Sequence, residues 1–339
     1  MVIKIVIQFL RFIGLIFGLL LVFVVGMFIV TAGDHSVPDT VETDPTIPHV
    51  EIDGVVFHAE TFGDPQNPVV VVVHGGPGGD YGYLLNLHQL EDEYFVVFYD
   101  QRGAGLSPRV EAFELSLASS VDDLHRIVTH YGKGEPVYLV GHSWGAMLVG
   151  DYIGQYPEFA TKAVLAEPGA LNNAALARFN ERQEASQGVG YYRTLIPTIF
   201  ESFRVEPIDV HARTDYIFGR MSQTFVGSAE SSYRCEDEVV DVIEPNVPVP
   251  PSRFGATAFR TIFGPSADLS SIVENAGNYT EEVLFITSGC NTFIGEAFQR
   301  EQMTIFPQAR LEVIPHAGHN MISENPVDTL AVIRAYFGS

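Results

Sequence analysis

The pentapeptide "GHSWG", Gly141 to Gly145, fits the pattern G-x-S-x-G and sits between "VYLV" and "AMLVGDYIGQY". A sharp strand-to-helix turn needs glycine at its ends, because side chains would collide there, and it lifts the central hydroxyl into the open. Ser143 is therefore the candidate nucleophile. "HGGPGG", His74 to Gly79, follows an earlier apolar run. Consecutive glycines let backbone N–H groups approach a substrate oxygen, so Gly75 and Gly76, with Trp144, are the candidate oxyanion donors. A phosphate loop is also glycine-rich, but the Lys-Ser/Thr pair that should follow is absent. Late in the chain, "HAGHN" supplies His316 and His319. His319 has the better position for a general base; His316 lies closer to the strand end and is expected to be structural.

These residues need a scaffold, and the hydropathy pattern describes one. "PVVVVVH" (Pro68 to His74), "YFVVFYD" (Tyr94 to Asp100) and "VYLVGHS" (Val137 to Ser143) are continuous β-branched or aromatic runs. Such runs suit strands buried on both faces. "KAVLAEPG", "EVLFITSG" and "RLEVIPHAG" continue the series, and "HVEIDGVVFHAETFG" reads as a hairpin turning at Asp53-Gly54. Helical stretches alternate with them. "SLASSVDDLHRIVTHYG" carries a possible capping box at Ser120 and Asp123 and stops at Gly132, and "NPVDTLAVIRAYF" begins at Pro326. Alternation of this kind predicts an α/β fold with a mostly parallel central sheet wrapped by helices. Between about Asn172 and Asn275 it breaks. Helical patterns and the proline-rich "EPNVPVPPS" replace buried strands there, which predicts a helical lid over the carboxyl edge of the sheet. An independent helical domain is the alternative, although both flanks run directly into strands. The expected division is 1–33 anchor or signal segment, 34–47 linker, 48–171 first core part, 172–275 lid and 276–339 second core part.

Taken together, "HGGPGG", "YDQRGAGLS" (Tyr99 to Ser107), "GHSWG" and "AGH" resemble the α/β-hydrolases of the prolyl iminopeptidase-like group, over residues 48–339. The resemblance implies the α/β-hydrolase fold, the chain order Ser, acid, His, and hydrolysis of an amide or ester, often releasing an amino-terminal residue. It also implies that Asp100, Gln101 and Arg102 build the turn beside the oxyanion loop. In one place the chain departs from the pattern. The group ends its "VLFI" strand with a Gly-x-x-Asp turn, and here Asn291 stands where the aspartate belongs. A neutral amide can orient imidazole but gives the imidazolium no counter-charge; in a serine protease the matching Asp→Asn change costs about 10⁴ in kcat. "VLAEPG" offers a substitute. Glu167 ends the strand expected beside "VLFI", and strands lie about 4.8 Å apart, so the longer side chain can reach the same imidazole. Glu167 is the expected acid and Asn291 the alternative; a Glu that binds a substrate ammonium or braces the lid is the competing reading.

Composition narrows the partners. With 42 acidic against 19 basic residues and a formal charge of −23, nucleic acid is excluded as a partner, since phosphate binding needs a basic footprint. Neither a metal cluster nor a nucleotide motif is present in the sequence, so no cofactor is expected. Phe12 to Val30 runs nineteen residues without a charge, close to the roughly 30 Å of a bilayer core. Lys4 and Arg11 precede it while Asp34, Glu42 and Asp44 follow, which orients the catalytic part away from the cytoplasm. The run exceeds the h-region of a signal peptide, favouring an uncleaved anchor; a cleaved signal, giving a secreted or periplasmic enzyme, is the alternative. Outside the cytoplasm Cys235 and Cys290 are able to pair, and the sequence leaves pairing and separate thiols equally open.

The expected activity is that of a serine hydrolase releasing proline or small apolar residues from short peptides or aminoacyl amides. Ester or lactone hydrolysis by the same machinery is the alternative, and a non-catalytic binding protein on this scaffold is a third reading, whose sole support is Asn291. An ammonium anchor would come from lid acids such as Glu181, Glu184, Glu201, Glu206 or Glu236, and an apolar pocket from Tyr191, Tyr192, Phe200 or Phe203; surface charge and lid core are the plainer roles for both sets.

Overall fold

The computed structural model describes residues 2–185, 189–226, 233–235, 247–264 and 267–339. It opens with α1 (Val2–Val30), followed by β1 (His49–Ile52), β2 (Val55–Phe62), β3 (Val69–Val73) and β4 (Phe95–Tyr99). Then come α2 (Leu117–Gly132), β5 (Val137–His142), α3 (Trp144–Gln155) and β6 (Ala160–Ala166). The insertion carries α4 (Asn173–Ala185), α5 (Val189–Ser202), α6 (Ala212–Val226), α7 (Ala256–Ile262) and α8 (Ser270–Asn275). The chain finishes with β7 (Val283–Ser288), α9 (Glu296–Gln302), β8 (Ala309–Ile314), α10 (Met321–Glu324) and α11 (Pro326–Phe337).

The eight strands form one sheet in the order β1-β2-β4-β3-β5-β6-β7-β8. β1 and β2 form the antiparallel edge, turning through Asp53 and Gly54, both at positive φ, as a tight hairpin requires. From β4 to β8 every pairing is parallel. The β-branched run of β3 shows why: Val71 and Val73 enter the core beneath α2 and α3, while Val70 and Val72 enter the core beneath α10 and α11. None of these four side chains is exposed, and burying each is worth about 1.5–3 kcal/mol. No polar alternation is possible in a strand covered on both faces.

Two local expectations need correction. α2 begins four residues earlier than the Ser120–Asp123 box would place it. Its cap is Ser116, whose hydroxyl accepts the Ser119 N–H at 3.0 Å, while the Ser119 hydroxyl accepts the Ser116 N–H at 2.9 Å. Asp123 is instead taken by the guanidinium of Arg102, at 2.7 and 2.5 Å, which joins α2 to the turn after β4. A two-pronged charged pair outcompetes a local cap. Residues 34–47 run without helix or strand and turn at 41–47, but they are not a free tether. Thr40 and Val41 are buried, the Val41 N–H donates to Leu106, the Pro38 carbonyl accepts from Arg253, and His35 bridges to Val205. Proline and acid content hid these anchors.

Charge ties the 172–275 insertion to the core. Asp215 on α6 receives Arg109 Nε at 2.8 Å and Arg253 Nε at 3.0 Å, and Arg253 also holds Asp209. All but Asp209 are essentially buried, so each charge depends on the others to offset its desolvation.

Candidate functional site

The site is assembled at the carboxyl ends of β3, β5, β6, β7 and β8. Ser143 joins β5 to α3 at φ 55°, ψ −118°, a conformation that ordinary side chains avoid, and it is half-buried amid fully buried neighbours. Its flanking glycine follows from close approach: a Cβ on Gly145 would lie 2.0 Å from the Val73 carbonyl oxygen. The strained elbow is thus enforced by packing against β3. Because α3 begins at Trp144, that amide belongs to the first turn, whose N–H groups have no carbonyl partner within the helix.

Glu167 follows β6 directly, with its backbone in the left-handed region at φ 47° and its side chain fully buried. Pairing of Ala166 with Ile286 sets it beside the end of β7. One carboxylate oxygen accepts from Thr287 Oγ1, the Ser288 N–H and Ser288 Oγ, at 2.9, 2.9 and 2.7 Å. The other accepts from Asn291 Nδ2 at 2.8 Å and from His319 Nδ1 at 2.6 Å. Burial alone pushes this carboxyl up. The His319 hydrogen bond and charge, with the Ser288 donors, outweigh that and leave its pKa below the ordinary value.

Asn291 therefore stands against the Glu167 carboxylate as its donor. Its Oδ1 accepts the N–H groups of Phe293 and Ile294, at 2.8 and 3.1 Å, so its amide nitrogen must face Glu167. An aspartate here would set a second anion against the first.

The carboxylate fixes the tautomer of His319. Nδ1 must carry the hydrogen, so Nε2 is left as the basic nitrogen. The imidazole lies 4.5 Å, centroid to centroid, from the ring of His142, the residue immediately before Ser143. Its backbone is held as well: the His319 N–H donates to Tyr233 at 2.7 Å and its carbonyl accepts from His142 Nε2 at 2.8 Å. His316, also at positive φ, is exposed and stands away from this arrangement.

Two residues absent from the sequence reading join the opposing loops. The Gly75 N–H donates to Tyr83 Oη at 2.8 Å, and Tyr83 Oη lies 2.7 Å from His142 Nδ1. Elementary chemistry directs every proton. An amide can only donate and a carbonyl can only accept, so Gly75 gives to Tyr83, Tyr83 to His142, and His142 to the His319 carbonyl. Burial, with His319 nearby, pushes the His142 imidazole down to about 3, which keeps it neutral and the chain of donors intact. No local signal marks Tyr83; His142 is the variable residue inside G-x-S-x-G.

Gly75 itself sits against the elbow, where a Cβ would fall 2.8 Å from that of Ser143. Its amide is already committed to Tyr83, unlike the role expected for it as an oxyanion donor. Gln101 completes the loop: its Nε2 donates to the His74 carbonyl, its Oε1 accepts Trp144 Nε1 at 2.8 Å, and its N–H donates to His74 Nε2. Asp100 points the other way, toward His58 at 2.6 Å.

Residues of the 172–275 insertion pack against this arrangement. Cys235 and Cys290 form a disulfide, so the turn that carries Asn291 is tied to the segment whose Tyr233 receives His319. Tyr233 also packs on the rings of His319 and Phe293, at 5.0 and 4.8 Å. Phe293 continues through half-buried Phe179 and Phe263 to the buried ring of Trp144, the residue after Ser143. Of the lid acids, Glu201 accepts from Tyr216 and pairs with Arg220, while Glu181 and Glu206 are exposed. Glu236 and the side chain of Glu184 lie outside the described residues.

The whole arrangement can raise the nucleophilicity of a hydroxyl, stabilise the resulting imidazolium and offer N–H groups to an oxyanion. Residues 70–332 match the family described as "Alpha/beta hydrolase family". The chain belongs to that family. Among relatives of this α/β-hydrolase is Epoxide hydrolase 3 of Xenopus tropicalis, 24% identical over 84% of this chain and 75% of that protein. A probable proline iminopeptidase of Streptomyces coelicolor is 32% identical over 45% of this chain, spanning 46% of its own length. Among solved structures, proline iminopeptidase of Mycobacterium smegmatis superposes with a TM-score of 0.58 at 18% identity, covering 85% of this chain and 96% of that one. The last likeness establishes the α/β-hydrolase fold alone.

Proposed function

We propose that this α/β-hydrolase cleaves carboxylic amides or esters through an acyl-enzyme, with Ser143 as nucleophile, His319 as base and Glu167 as the acid. The observation that carries the reading is the buried Glu167 carboxylate on His319 Nδ1, beside a strained serine elbow. Ser143 Oγ attacks the carbonyl carbon as its proton passes to His319 Nε2. The tetrahedral oxyanion is held by the N–H groups of Gly76 and Trp144, with Gly75 shaping the loop through Tyr83. Collapse breaks the bond to the leaving group, which takes the proton from His319. Water, deprotonated by the same imidazole, then releases the acyl group and restores Ser143. Labelling of the full chain by a fluorophosphonate, lost in Ser143→Ala, tests this; labelling that survives the substitution defeats it.

Within this chemistry we read the substrate as a short peptide or aminoacyl amide with a proline or small apolar amino-terminal residue. The motif set and the likeness to the Streptomyces proline iminopeptidase support it. Hydrolysis of an ester or lactone is the second reading, favoured by the aromatic series running from Phe293 to Trp144. Comparing turnover of proline and alanine anilides with that of p-nitrophenyl acetate separates the two. Epoxide opening by a covalent route would want a carboxylate where Ser143 stands.

We also read α1 as a retained membrane anchor. Ile3–Val30 is long and apolar enough to cross a bilayer. Arg204 of the lid donates to the Phe28 and Thr31 carbonyls, and Thr31 is buried, so cleavage after Ala32 would remove groups that the lid holds. Mass measurement of the mature chain tests retention.

A further inference from the structure

α5 presents an apolar stripe with no use in the chemistry above. Tyr192, Ile196, Ile199 and Phe203, the last just beyond the helix end, are 55%, 39%, 38% and 54% exposed. Their spacing of four, three and four residues sets them on one face. A row of large exposed hydrophobes on a soluble surface calls for a partner.

The stripe runs into α1. Phe203 packs on Phe28 at 5.9 Å, while its neighbour Phe200 meets Phe28 and Phe23 edge-on at 5.1 and 6.2 Å. Arg204 then caps the carbonyl end of α1 and lies over the Phe28 ring. Phe23 is two turns back from the end of α1, about 10 Å along its axis. If α1 spans a bilayer, the contact between Phe23 and Phe200 lies beneath the outer surface, and α5 must share that depth.

Local charge permits this. The chain as a whole is strongly acidic, yet over 189–226 Arg193, Arg204, Arg213 and Arg220 match Glu201, Glu206, Asp209 and Asp215 one for one. The Arg213 guanidinium covers the Phe203 ring at 3.8 Å, which sets a cation beside an aromatic ring, as at a lipid headgroup boundary.

We propose that α5 is an interfacial helix, with Tyr192, Ile196, Ile199 and Phe203 seated in the outer leaflet of the same membrane that α1 crosses. The partner is the lipid surface itself, and the lid is thereby held at the bilayer. This inference rests on the reading of α1 as an anchor.

Both cysteines are committed to the disulfide, so a single introduced thiol can be labelled. The full chain would carry bimane at Ile196→Cys, at Leu21→Cys in α1, or at exposed Arg178→Cys in α4, in phosphatidylcholine vesicles with brominated acyl chains. Quenching at position 196 comparable to that at 21, with none at 178, is the expected result. Quenching at 21 without quenching at 196 overturns the interfacial helix while leaving the anchor intact. No quenching at 21 removes the anchor, and the inference with it.

Discussion

Replacing Glu167 by Gln removes one buried negative charge while nearly preserving shape. The carboxylate lies 2.6 Å from His319 Nδ1 and is fully buried, so solvent screens the pair little. With charge centres about 4 Å apart and an effective dielectric near 20, the imidazolium loses about 4 kcal/mol of stabilisation, or roughly 10³ in rate. Gln also brings a misplaced donor. Its NH₂ must face either His319 and Asn291 or the Ser288 N–H, all of which donate. Together these effects place the expected fall in kcat at about 10³–10⁴, the upper figure matching the aspartate loss known in a serine protease. The assay is kcat on an anilide and on p-nitrophenyl acetate, with fluorophosphonate titration to count intact sites. The same logic gives a rescue. Asn291→Asp alone sets two carboxylates together and should impair the enzyme, because both cannot stay ionised. In the Glu167→Gln background it returns an anion to the histidine and should recover at least about tenfold. A Glu167→Gln enzyme within about tenfold of the original kcat refutes the role given to this carboxylate.

Other expectations follow from the contacts around it. Tyr83→Phe leaves the Gly75 N–H and His142 Nδ1 without their shared partner; unfolding in urea should show a loss of about 1–3 kcal/mol, and kcat should fall more than KM rises as the oxyanion loop loosens. Reduction of Cys235–Cys290, or Cys235→Ser with Cys290→Ser, should cost about 2–4 kcal/mol of stability and lower kcat/KM by freeing Tyr233 from His319; unchanged kinetics with lowered Tm would confine the bridge to stability. His142, depressed from 6.5 to about 3, makes stability depend on acid. In that window the unfolded chain binds one proton more than the folded one, so stability is full above pH 6.5 and falls as pH drops toward 3, by up to about 1.4 kcal/mol per pH unit. His142→Gln should flatten that part of a denaturation-versus-pH curve, and an unchanged slope would deny the buried neutral imidazole.

Much of this site was legible in the sequence because it depends on strand order. A parallel sheet puts the ends of consecutive buried runs side by side, so an acid one strand away from the usual place remained within a side chain's reach of the imidazole. Glu167 could be singled out on that ground alone. Asn291 was harder to read. As a lone letter it signalled a missing charge, yet its amide is oriented by two backbone N–H groups so that it donates to the very carboxylate that replaces it. Tyr83, His142 and Tyr233 escaped for a different reason. Their roles come from hydrogen bonds between residues 59, 177 and 86 positions apart, which no local pattern encodes. Residues 34–47 misled through composition: a segment poor in apolar residues still docks when a few of its groups, here Thr40, Val41 and the Pro38 carbonyl, find partners in a scaffold already folded. The charge that moves one strand over and the amide that fills its former place must therefore change as a pair. Either change alone leaves two anions in contact or an imidazolium with none.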